Sequence, residues 1–235
     1  MVALSGTAPA PVVFSCATST TREINAALRQ LPAGSRVVIT EPRGRHNLAV
    51  GLRQDLDITI EGNAGYYIAG LCDGPSVTVN GSVGWGVGEN LMSGVVRVNG
   101  NASESVAASS HGGLVVIAGD ASSRAGISLK GGTLVVAGDV GHMSGFMAQA
   151  GVIVVGGDAG EALGDSLYEA VIYVAGKLRS LGSDTRVEDL TADDVTRVTE
   201  LVRVSGFDHI DPANVTRVAS AKTLYNFDAL KNQKY

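Results

Sequence analysis

The chain has 235 residues, with 18 Lys plus Arg against 23 Asp plus Glu and a formal charge of −5. That length can bury one sizeable core. The acidic balance, with no basic cluster interleaved with aromatics, argues against nucleic acid or an anionic membrane as a partner. The 31 glycines, beside only 5% aromatic and 17% charged residues, are too many for an ordinary α/β enzyme and lack the G-X-Y period of collagen, which points to a longer repeat.

The opening MVALSGTAPAPVVFSCATS is apolar but has no Lys or Arg ahead of its hydrophobic part. A secretory signal is therefore not expected, and residues 1–18 read as a flexible tail. No run approaches the roughly 20 apolar residues of a membrane span. Cys16 and Cys72 stand outside any CxxC pair and suit a reducing compartment, so the expected location is the cytoplasm. In residues 19–57, STTREINAALRQLPAG reads as a helix. Thr20 and Glu23 form a capping box, Ile24, Leu28 and Leu31 share a face, and Pro32 and Gly34 end the run. RVVIT, Arg36 to Thr40, reads as a strand leading into the periodic part of the chain.

Residues 58–183 are periodic. Gly62, Gly81, Gly100, Gly119, Gly138, Gly157 and Gly176 recur at intervals of 19. Four residues before each stands Ile58, Val77, Val96, Val115, Leu134, Ile153 or Ile172, and two before each Ile60, Val79, Val98, Ile117, Val136, Val155 or Val174. All fourteen are branched aliphatics two apart, as on one face of a strand. After the glycine comes a turn-forming type, Asn63, Ser82, Asn101, Asp120, Asp139, Asp158, or finally Lys177. A second glycine column holds at Gly94, Gly113, Gly132 and Gly151, slipping to Pro75 and Ala170 outside that block.

Such a unit buries its apolar face only by stacking on copies of itself. The expected fold is all-β, a right-handed parallel β-helix of about seven turns and roughly 30 Å at 4.7–4.9 Å per rung. The glycines are expected at corners of positive φ, with the following aspartates turning away. The outward strand positions are polar in early turns (Thr59, Thr78, Arg97) and apolar later (Val116, Val135, Val154). Something must cover the later ones, either a terminal helix of this chain or a partner, and a docking surface is the favoured reading. Residues 184–235 are expected to supply a helix in TADDVTRVTELVRVSG, with Val195, Val198, Leu201 and Val202 at helical spacing and Gly206 as its stop, then an extended tail.

No catalytic constellation emerges. His46, His111, His142 and His209 form neither HxH nor HExxH, and no GxSxG elbow occurs. Gly84, Gly86 and Gly88 mimic part of a dinucleotide fingerprint outside the βαβ setting it requires. Asp165 and Glu169 could pair as acid and base, but nothing in the spacing places a second group against them, and they read as polar corner residues. Two corner columns stand out as wet edges or interface stripes: Met92, His111, Lys130, Gln149, Tyr168; and Tyr66, Trp85, Glu104, Ser123, His142, Glu161.

GYYIAG, VGVGENLMSG, SSHGGLVVIAGDASSRAGISLKGG, GHMSGFMAQAG and GDAGEALGDSLYEA resemble the GXGXG domain that ends the glutamate synthase large subunit. They are most similar to the free-standing small subunit of N-methylglutamate synthase, over about residues 20–228. The resemblance implies a structural bracket without catalytic, cofactor or metal residues of its own. Its partners would be a glutamine amidotransferase-like subunit and an FMN-dependent synthase subunit that carries FMN and iron–sulfur clusters. The hetero-oligomer would convert glutamate and methylamine to N-methylglutamate and ammonia. Matching motifs place Glu89, Asn90, His111, Arg124, Lys130, His142, Met143, Gln149 and Asp165 near partner interfaces. Glutamate synthase proper is an alternative. A more distant one is the GXGXG subunit of formylmethanofuran dehydrogenase, or of the related formyltransferase/hydrolase complex. Ser103 and Ser122 depart from the glycine seen at Gly65, Gly84, Gly141 and Gly160, which puts turn geometry there in question.

Overall fold

The computed structural model describes residues 10–222; the expectations for residues 1–9 and 223–235 lie outside the described residues. Nine strands stack in parallel and in chain order: β1 (Val12–Ser15), β2 (Ser35–Thr40), β3 (Leu56–Glu61), β4 (Asp73–Val79), β5 (Ser93–Val98), β6 (Leu114–Ile117), β7 (Lys130–Val136), β8 (Ala150–Val155) and β9 (Val171–Val174). From β3 to β9 the register is the 19-residue period itself, Ile58 opposite Val77 opposite Val96 and on to Ile172. The chain is a parallel β-helix, and all fourteen aliphatics of the two inward columns are at most 1% exposed.

Three further columns complete the interior. One begins at Ala64 and runs through single-residue bridges such as Val83 to Ala102 and Val140 to Ala159. The others run Ile68, Val87, Val106, Ala125, Ser144, Leu163 and Cys72, Leu91, Ser110, Leu129, Ala148, Leu167, all buried. Their few polar atoms are satisfied locally. Ser110 Oγ donates to Gly88 O at 2.8 Å, Ser144 Oγ to Gly141 O at 3.0 Å and Cys72 Sγ to Ala49 O at 3.0 Å. Burial pushes the Cys72 thiol up to about 11, as expected of an inert interior thiol.

The glycine column has a different cause from the one expected. Only Gly62 (φ 121°) is left-handed in it. The others are glycine because rungs approach closely: a Cβ on Gly138 would lie 2.1 Å from Asp120 Oδ1, and one on Gly157 2.1 Å from Asp139 Oδ1 and 2.7 Å from Gly138 C. The aspartates do not turn away. Each reaches along the coil axis to the next rung: Asp139 N–H donates to Asp120 Oδ1 (2.9 Å), Asp158 N–H to Asp139 Oδ1 (2.7 Å) and Lys177 N–H to Asp158 Oδ1 (2.8 Å). Asn63, Ser82 and Asn101 start the same ladder. The missing Cβ makes room for the side chain that ties two rungs together.

The ends are closed by different devices. The helix α1 (Thr21–Leu28) carries the expected Thr20/Glu23 capping box and buries Ile24 and Leu28. In later turns the amide in register with Ala49 bonds back to the preceding rung, as Ala69 N–H does to Leu48 O. Ala49 has no such rung beneath it, and Asn25 Oδ1 accepts its N–H instead (2.9 Å) while Asn25 Nδ2 donates to Asn47 O (2.7 Å). The first rungs escape the sequence period because their spacing is longer: Val37 pairs with Ile58 and Val12 with Val37. Part of the segment expected as an N-terminal tail is thus the strand β1. Val12, Val13, Phe14 and Ser15 pair in register with Val37, Val38, Ile39 and Thr40 of β2.

At the far end β11 (Thr216–Ser220) inserts antiparallel between β9 and β10 (Thr185–Glu188), correcting the expectation of an extended tail there. The helix α2 (Ala192–Ser205) ends at Gly206, φ 72°. It lies over the outer apolar positions: Val116, Val135, Val154 and Tyr173 form one buried cluster with Val198, Val202, Phe207, Ile210 and Val215. The later rungs are therefore covered by this chain, and the reading of that face as a docking surface is overturned. The dimensions explain the fit. The 14-residue helix is about 21 Å long, and the four rung spacings from Tyr173 back to Arg97 span about 19 Å. Both helix ends are pinned. Near the N-terminus Tyr173 OH donates to Asp194, which also pairs with Arg217 at 3.2 Å. At the C-terminus Arg97 Nη1 donates to Ser205 O at 3.0 Å and lies over the Phe207 ring at 5.6 Å.

Candidate functional site

Among the described residues, open depressions lie along edges of the coil. One, about 720 Å³, is lined by Arg53, Leu71, Asp73, Asn90, Met92 and His111. A second, about 500 Å³, continues the same edge with Lys130, Gln149, Tyr168 and Glu169. The third, about 410 Å³, sits on another edge between Asp139, His142, Asp158, Glu161 and Arg179.

The nine candidate interface residues do not converge. Asn90 and His111 share the first depression, Lys130 and Gln149 the second, and His142 lines the third. Glu89 accepts from Tyr67 OH at 3.0 Å. Asp165 accepts from Ser166 Oγ (2.9 Å) and Ser183 N–H (3.2 Å), so its hydrogen bonds close the last turn and do not engage Glu169. Among the described residues no group of three or more His, Cys, Asp or Glu is placed to hold a metal ion, and no helix is long and apolar enough to cross a membrane.

Asn90, Arg124 and Met143 have a backbone duty. In each turn three residues, two apart, take positive φ: Gly86, Gly88 and Asn90 in one, Arg124, Gly126 and Ser128 in another, Met143, Gly145 and Met147 in a third. Their amides point alternately forward and back. Gly86 N–H bonds to Glu104 O (2.9 Å) on the next rung, Gly88 N–H to Ile68 O (2.9 Å) on the previous one, and Asn90 N–H to Ala108 O (2.8 Å) on the next. Each left-handed non-glycine costs about 1–2 kcal/mol, and these rung-to-rung bonds offset it.

The first and last members of Gly84, Gly86 and Gly88 illustrate two separate demands. Gly84 is small because a Cβ would meet Gly65 C at 2.8 Å, and Gly88 has a φ of 67°. Ser103 and Ser122, which replace the glycine of the Gly84 column, keep the same bond to the rung before, Ser103 N–H to Val83 O and Ser122 N–H to Ala102 O. The turn geometry is intact there.

The family model of the GXGXG motif matches residues 15–233. The chain belongs to the GXGXG family. Protein GlxC of Rhizobium meliloti (strain 1021) is similar to it, 45% identical over 65 residues. That match covers 26% of this chain and 28% of GlxC, so it spans about a quarter of each.

Two features of this GXGXG chain escape the 19-residue arithmetic. His46 stacks on Tyr66 with ring centroids 3.8 Å apart, and Tyr66 lies 5.6 Å from Trp85. His46 stands 20 positions before Tyr66, one step off the period, although the Tyr66 and Trp85 column signals the rest. The Asp194, Tyr173 and Arg217 network is also hidden, because its members come from three elements. Its only sequence signal is a tyrosine, Tyr173, in the outward column otherwise held by Val116, Val135 and Val154.

Proposed function

We propose that this chain is a scaffold subunit of a glutamate synthase-like complex, of the N-methylglutamate synthase type. It would bracket a glutamine amidotransferase-like subunit and an FMN-dependent synthase subunit, with FMN and the iron–sulfur clusters on the latter. The complex would convert glutamate and methylamine to N-methylglutamate and ammonia in the cytoplasm. The observation that carries this reading is the family match across residues 15–233.

The interior supports the same role. Five columns of buried side chains fill the coil, so a nitrogen species passing between partner subunits would travel along the outside of the coil, in a passage the partners complete. The donors for a cluster are also poorly placed. Cys16 and Cys72 are both buried, and Cys72 Sγ is held by Ala49 O.

The test is an assay of N-methylglutamate formation from glutamate and methylamine, run on this chain alone and on the complex purified through it. Activity confined to the complex is the expected result. Turnover by the isolated chain would overturn the scaffold reading.

A further inference from the structure

His46, Tyr66 and Trp85 form an aromatic row, stacked between His46 and Tyr66 and tilted between Tyr66 and Trp85. Tyr66 N–H donates to His46 Nδ1 at 3.1 Å, which fixes the imidazole under the phenol ring. Gly65 makes room for it, since a Cβ there would lie 1.9 Å from His46 Nδ1. Trp85, the protein's one tryptophan, leans against Tyr66 at a 44° tilt and is 56% exposed. The ordered His46 and Tyr66 pair backs the indole on one side, and a large exposed aromatic on a fixed base suits an interface anchor.

The surroundings specify what fits. One rung beyond Trp85 in the same column is Glu104, and the column ends in Glu161. Beside it runs the axial ladder, where Asp120, Asp139 and Asp158 commit one carboxylate oxygen to the next amide and remain exposed. None of these five carboxylates is in an ion pair among the described residues. Within the two columns the first Lys or Arg is Lys177, at the last turn.

We infer that this edge docks an arginine-bearing segment of a partner protein, with a guanidinium stacked on Trp85 and forked toward Glu104. Arginine suits the site better than lysine, because a planar guanidinium can cover an indole face and pair with a carboxylate at once. From Trp85 to Glu161 the edge spans four rungs, about 19 Å, room for about six extended residues. The inference rests on the scaffold reading and adds which edge is used and the chemistry of what it holds.

The test is the dilution stability of the complex purified through this chain, followed by mass photometry. Trp85→Ala is expected to weaken assembly about thirtyfold, the loss typical of a central aromatic anchor. Trp85→Phe should restore most of it, and Glu104→Lys should weaken assembly further at low salt than at high salt. Because Trp85 is exposed, circular dichroism of the free variants should match the parent. A complex that survives dilution equally well with Trp85→Ala would overturn this docking edge and leave the scaffold reading standing. Failure of the parent chain to join any complex would overturn both. A dimer of this chain that is lost with Trp85→Ala would make the occupant a second copy and overturn the arginine-segment inference.

Discussion

Single residues carry two jobs that the repeat alone does not reveal. The glycine of the period is a gap for its neighbour's carboxylate, so Gly157→Ala should cost about 3 kcal/mol or more in chemical denaturation. It combines overpacking against backbone with the loss of a charge-assisted hydrogen bond. Asp194 is the other case. Burial alone would raise its carboxyl, but the Thr191 hydroxyl, the Tyr173 phenol, the Thr191 amide and Arg217 outweigh that and hold it well below the usual carboxylate range. Its folded pKa lies below the unfolded value of about 3.9. Its contribution is therefore complete above about pH 4 and is lost as pH falls further. Burial and the bond to Asp194 push Tyr173 up to about 12, so its contribution is complete below about pH 10 and fades as pH rises through the folded value. Near-UV circular dichroism should show acid loss of α2 docking in the parent and little acid dependence in Asp194→Asn. An unchanged acid transition in that variant would contradict the assignment.

At the scale of elements, the coil was legible because its columns are local and periodic. Ile58 and Ile60 announce the same geometry as Ile172 and Val174, and the register between strands is the period itself. The caps were only half legible. The helix pattern of α1 and α2 shows in Ile24, Leu28, Val198 and Val202. What each helix covers depends on contacts between distant segments, such as Asn25 with Ala49 and Arg97 with Ser205. The docking-surface reading failed for that reason: an apolar outer face shows that a cover is needed, while the length match of α2 to four rungs says which cover. Asn25→Ala leaves the Ala49 amide unpaired and should cost about 1–3 kcal/mol, measured by urea unfolding. Val198→Asp with Val202→Asp should release α2 from the outer face, seen as hydrogen exchange across α2 while the amides of β3 to β5 stay protected. Loss of protection throughout the coil would show that the helix is integral to it.

Over the described residues the chain is a coil with a filled interior, its later rungs covered on one side by its own helix. Most of the candidate residues line its edges without meeting at one point. Asn90, Arg124 and Met143 were legible as motif residues, but their left-handed backbone gives them a structural reason to be there whether or not a partner touches them. His111, Lys130, Gln149 and His142 are exposed and line the edge depressions. The scaffold role is probed most sharply by native mass spectrometry, with a visible absorption spectrum, of material purified through this chain. A hetero-oligomer of defined stoichiometry is expected, with flavin absorbance that leaves with the partner subunits on dissociation. A monodisperse, colourless chain with no partner, from cells that express the candidate partner subunits, would contradict the scaffold role.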